Sequence, residues 1–136
     1  MKFLVDANVL SEPTKPAPSQ RVIDWLRSNE DELATSPIVL GELQYGILLL
    51  PAGRRRKRLE QWFTRGVECL PVLDFDAPSA ATWARLLAGL KRKGRAMSVK
   101  DSLIAATALA HDLNVATRNA TDFRHAGVRV VNPFER

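Results

Sequence analysis

The chain has 136 residues, 46% hydrophobic and 26% charged, a size and balance that suit one globular domain over residues 1–136 with a single core. No apolar run is long enough for a membrane helix, and the acid in MKFLVDANVL interrupts what a signal peptide would need, so a cytoplasmic protein is expected. The lone cysteine, Cys69, excludes an internal disulfide, and neither His111 nor His125 lies at zinc-ligand spacing from it. A net charge of +5 and a pI near 9.9, gathered into RRRKR at 54–58 and KRKGR at 91–95, point to a polyanionic partner or to solvated helix faces.

Lys2 to Val5 reads as a short buried strand ending at Asp6. Pro13, Pro16 and Pro18 make the next stretch a loop, and its neighbourhood near residue 15 is expected to be flexible, as is Arg92 to Ser98. Ser19 caps a predicted helix through Asn29, and Leu33 to Thr35 is a weak strand. Ser36-Pro37 is a helix start, with serine accepting free backbone donors and proline losing none; that helix runs to about Leu50 and stops at Pro51. Gly53 to Arg65 reads as a basic helix with Leu59, Trp62 and Phe63 inward, Leu70 to Leu73 as a strand interrupted by Pro71, and Ala77 to Lys93 as a helix stopped at Gly94. Ser98 caps a helix in which Asp101 holds the third position, above Ile104, Ala105, Ala108 and Leu109. Val115 to Thr117 and Val128 to Val131 are β-branched strand candidates. Short apolar strands alternating with helices predict an α/β domain with a parallel sheet covered on both faces, its ligands gathering at the carboxyl ends of the strands.

Four acids stand out against that frame. Asp6 ends the first strand, as a turn residue or a site residue. Glu42 lies too deep in an apolar helix to be a cap, with Gly41 and Gly46 leaving space, so it either sits on a narrow solvent-facing edge or, as favoured, points into a polar site. Asp101 follows Ser98, and Asp122 follows Asn119, at capping-box spacing, so each has a structural reading beside the functional one. Carboxylates that converge repel unless a cation lies between them, and oxygen-only ligands select a hard ion such as Mg2+ or Mn2+. Beside basic blocks, such a site suits phosphodiester hydrolysis. A Gly-rich phosphate loop and a Gly-x-Ser-x-Gly elbow are both missing.

LVDANVLSEP, the apolar helix bearing Glu42, DSLIAATALAHDLNVATRN and the closing VRVVNPF together resemble the PIN-domain endoribonucleases of the VapC toxin type, particularly the FitB-like group. The resemblance implies a three-layer α/β/α PIN domain with a short, mainly parallel central sheet, and a toxin that cleaves tRNA, rRNA or mRNA with Mg2+ or Mn2+ and is silenced by a VapB-like antitoxin. It places Asp6, Glu42 and Asp101 on the family's three main acids and Asn8 on a polar site position. The family's fourth acid follows Thr-Arg, where this chain has Asn119, so Asn119 and Asp122 compete for that place, with Thr117 as a hydrogen-bonding accessory. Arg54, Arg55, Arg56, Lys57, Arg58, Lys91, Arg92 and Lys93 become the RNA-binding candidates. Homodimers, or larger assemblies with antitoxin, are also implied, and Leu48 to Leu50 with Trp62-Phe63 offer apolar surface for an interface or for the core. The alternatives are a non-catalytic nucleic-acid-binding or interaction module of the same fold and, less well matched, a receiver-like phosphoacceptor domain.

Overall fold

A computed structural model describes residues 1–135. Four short strands, β1 (Phe3–Val5), β2 (Leu33–Ala34), β3 (Asn114–Ala116) and β4 (Val130–Val131), form one sheet in the order β2-β1-β3-β4, with all three pairings parallel. Phe3, Leu4 and Val5 are all buried. Because successive side chains of a strand point to opposite faces, β1 must be covered on both sides. The register sets Leu4 beside Ala34 and Val115, and Val5 beside Ala116.

The helices are α1 (Ala7–Leu10), α2 (Gln20–Ser28), α3 (Pro37–Leu48), α4 (Arg54–Arg65), α5 (Ala77–Arg92), α6 (Val99–Ala110) and α7 (Ala120–Phe123). Ser19, Ser36, Asp76 and Ser98 each cap a helix through the side chain, accepting from the backbone N–H three residues on. From α2, Trp25 meets Phe3 edge-on, ring centroids 4.9 Å apart. The expected stripe on α6 is present, with Ile104, Ala105 and Ala108 fully buried, but Ser102, Ala106 and Thr107 are buried as well. This helix is enclosed nearly all round, which its small residues permit. Its Ser102 hydroxyl accepts from the Trp83 indole of α5 at 3.0 Å and donates to Val99 O, so the buried polar group is satisfied.

Two expectations are corrected. Leu70 to Leu73 forms no strand; a single parallel bridge joins Thr35 to Val72, because Pro71 has no N–H to give a ladder. The proline loop is tethered rather than loose: Glu12 is buried, accepts from the Ser19 N–H at 2.9 Å and pairs with Lys15 at 3.0 Å. The Ser19 hydrogen bond, followed by Lys15, holds the Glu12 carboxyl below its ordinary pKa. The α1 turn just after β1 was not anticipated from the sequence.

Helices α5 and α6 stop by the same device with different residues. After α5, Gly94 takes φ 66°, Gly94 N–H reaches Lys91 O and Arg95 N–H reaches Leu90 O. After α6, Asp112 takes φ 54°, with Asp112 N–H to Leu109 O and Leu113 N–H to Ala108 O. Both are Schellman stops, and the second puts a Cβ where glycine is preferred. Asp112→Gly is expected to raise stability by about 0.5–1 kcal/mol, read as a higher midpoint in urea with an unchanged slope. A lower midpoint would mean that the exposed Asp112–Arg129 pair at 3.2 Å outweighs the backbone strain.

Candidate metal and nucleic-acid site

The sheet order places β1 between β2 and β3, so the chain departs to opposite sides from the carboxyl ends of these strands, and a crevice opens there. The ladder extends one residue past each strand: Asp6 N–H donates to Ala116 O at 2.9 Å, and Thr117 N–H to Val131 O at 3.0 Å. Asp6 and Thr117 are thus held side by side at the crevice floor, with exposures of 3% and 0%. The Thr117 hydroxyl donates to Asp6 Oδ2 at 2.8 Å, and Ala7 N–H donates to Asp6 Oδ1 at the same distance. Thr117 Oγ1 in turn accepts from Asn8 Nδ2 at 3.4 Å and from Asn119 N–H at 3.1 Å, while Asn8 Oδ1 accepts from Arg118 N–H at 3.0 Å. Asn8 and Thr117 therefore orient the acid and tie the β1 and β3 ends together.

Burial pushes the Asp6 carboxyl above its ordinary pKa, the Thr117 and Ala7 hydrogen bonds pull it back, and the nearby Glu42 and Asp101 charges raise it further. Half-buried Asp101, its own N–H capped by Ser98 Oγ at 3.1 Å, is also raised, first by burial, with Ser98 and Lys100 opposing and Asp122 and Glu42 adding to it. Asp6, Glu42 and Asp101 thus lie within one another's electrostatic reach. Asp122 acts on Asp101 from an exposed position on α7. Asn119 caps α7 through no side-chain hydrogen bond, so the capping-box reading of Asn119 and Asp122 is set aside; Asp122 N–H donates instead to Asn119 O.

Lys100 was missed by the sequence reading. Its ammonium lies 2.8 Å from Glu42 Oε1, joining α6 to α3. The available signal was a cation in the first turn of a helix, where the dipole disfavours positive charge unless anions stand nearby. The other Glu42 oxygen, Oε2, is buried with no hydrogen-bond partner among the described residues. Oxygen donors of this kind, one of them orphaned, fit a hard divalent cation in chemistry. In spacing they are too open, since no three of the described His, Cys, Asp or Glu residues stand close enough to hold an ion together.

The structure divides the basic block. Arg55, Leu59 and Trp62 line a groove of 330 Å³ that reaches Asn8 and Glu42. Arg55, Arg58, Trp62 and Lys15 line its 550 Å³ continuation. Arg54, Arg56 and Lys57 line a different depression of 610 Å³, which is larger but removed from the acids, and Arg56 is already paired with Glu60 at 2.9 Å. Lys91, Arg92 and Lys93 are exposed at the end of α5, where positive charge complements the dipole. The α5–α6 connection brings that end of α5 back to the α6 terminus bearing Asp101.

A carboxyl whose pKa is raised by folding favours the folded state most when protonated. Without metal, stability therefore declines as pH rises from the ordinary value of 3.8 through the raised native values, then levels. Asp6→Asn is expected to flatten that decline and to leave the pH 7 melting temperature unchanged or higher, measured in EDTA. A marked loss of stability at pH 7 would show that the Asp6 charge supports the metal-free fold.

Comparison with known proteins adds the lineage. Residues 3–128 match the PIN domain family. The chain is 38% identical to Toxin FitB of Neisseria gonorrhoeae over 97% of this chain and 98% of that one, and 38% identical to VapC ribonuclease Y4jK of Sinorhizobium fredii over 98% of both. In three dimensions it matches the crystal structure of FitAcB from Neisseria gonorrhoeae with a TM-score of 0.92 and 37% identity, covering 98% of this chain and 99% of that one. Length, fold and sequence agree along nearly the whole chain, which therefore belongs to the PIN domain family, alongside the FitB and VapC toxins.

Proposed function

We propose that the chain is a Mg2+- or Mn2+-dependent endoribonuclease acting as the toxin of a toxin-antitoxin pair. The observation that carries this reading is the buried Asp6 at the sheet's switch point, locked by Thr117 and set in the field of Glu42 and Asp101, in a chain whose relatives include a VapC ribonuclease. When bound, the cation would polarise a phosphoryl oxygen and make a water acidic enough to attack at neutral pH. Asp6, Glu42 and Asp101 are the residues to hold it. A carboxylate not fully engaged, with exposed Asp122 beside Asp101 a candidate, would orient or deprotonate the water. Asn119, in place of an acid, can only orient. Arg55, Arg58 and Lys15 line the groove leading away from the acids and supply the phosphate contacts.

An antitoxin partner is part of the same proposal. Relatives were solved as FitAB bound to a DNA fragment and as DNA-bound VapBC from Salmonella typhimurium. In this chain Tyr45, Leu48 and Leu49 are 65%, 62% and 67% exposed, an apolar stretch at the end of α3 that supports burial against a second protein or a second copy. The open spacing of the acids and the Asn119 position favour the rival reading, a PIN fold that binds RNA without cutting it.

Cleavage decides between them. Purified chain with single-stranded RNA should give discrete new ends in Mg2+ or Mn2+ and none in EDTA, and Asp6→Asn or Asp101→Asn should lower the rate by on the order of a hundredfold or more. Undiminished cleavage in both variants would remove the site. Binding separates the two faces of the basic helix: in EDTA, Arg55→Ala with Arg58→Ala should reduce the salt slope of RNA affinity by about 1.4, and Arg54→Ala with Lys57→Ala by less. Equal effects would put the RNA path elsewhere.

A further inference from the structure

The position of Lys100 bears on how the acids are held before any metal arrives. Its ammonium spans two helices to reach Glu42 Oε1 at 2.8 Å, from a helix turn that itself disfavours a cation. Glu42, then Asp101 and Asp6, each stabilise its charge. The same three carboxylates are the ones proposed to hold a divalent ion. In this metal-free arrangement no three of the described acids stand close enough to share one, and the second Glu42 oxygen is buried without a partner among the described residues. Oε1 cannot serve the ammonium and a metal in full at once. The lysine side chain is 47% exposed, so nothing encloses it, and it has solvent to move into when it lets go.

We infer that Lys100 is a tethered competitor of the divalent cation: it neutralises Glu42 in the metal-free protein, and metal binding requires the Lys100–Glu42 pair to open. This rests on the metal-site reading and deepens it. Lys100 is then a positioning residue that sets how much metal the site needs.

The test is calorimetric titration of Mn2+ into the full chain, with thermal melts in EDTA as a second reading. Lys100→Met should bind Mn2+ about fivefold more tightly than the parent, as expected for removing one partly exposed ion pair, and should melt lower in EDTA because the acids lose their counter-ion. Lys100→Arg keeps the cation and should stay near the parent in both. In a Glu42→Gln background the pair is already gone, and Lys100→Met should then change Mn2+ affinity little. Unchanged or weaker Mn2+ binding by Lys100→Met overturns the competition while leaving the metal site standing, provided Asp6→Asn abolishes binding in the parent. Absence of Mn2+ binding in both the parent and Lys100→Met overturns the metal site and the competition together. Should Lys100→Met fail to fold, Lys100→Gln is read by the same criteria.

Discussion

The structure turns on one costly placement, a carboxylate almost without water at the end of the central strand. Asp6 is 3% exposed, and such a group is tolerated only when its oxygens are occupied. Thr117 and Ala7 occupy both. Thr117 spends its hydroxyl on the acid and its lone pairs on Asn8 and Asn119, so the floor of the crevice is a closed set of hydrogen bonds. Everything else at the site is arranged on that floor. Glu42 and Asp101 arrive on separate helices with fewer constraints, and their mutual repulsion is offset locally by Lys100.

That division of labour explains what the sequence could reveal. The strand ending at Asp6, the Ser-capped helices, the Gly94 stop and the inward face of the basic helix follow from local chemistry, so they are legible one segment at a time. Glu42 was recognisable because a charge in an apolar helix needs a reason. Lys100 was not, since its partner is 58 residues away; a cation in a helix's first turn calls for a nearby anion but does not say which. The split of RRRKR into a groove-facing pair and an outward set depends on where α1 and its following turn lie, which composition cannot show. Leu70 to Leu73 looked like a strand by hydrophobicity, but a ladder needs donors, and Pro71 withholds one.

Relatedness and geometry contribute different things. The identity to FitB and VapC toxins over nearly the whole chain gives lineage. The burial of Asp6 and the reach of Arg55 toward Glu42 through a shared groove belong to this chain, and they connect an acidic centre to a basic approach. A polyanion laid along that groove would meet positive charge first and carboxylates last, an order that the proposed cation at the acids would make productive.

The Asp6–Thr117 hydrogen bond joins positions 111 residues apart. Such a contact carries the full entropic toll of closing a long loop, and it cannot form until β3 has docked beside β1. A chain emerging from the ribosome therefore displays its first acid from the start but has no assembled centre until nearly all of it has been made. If the proposed RNA-cleaving activity holds, non-local construction of the crevice floor would delay competence to the moment of complete folding.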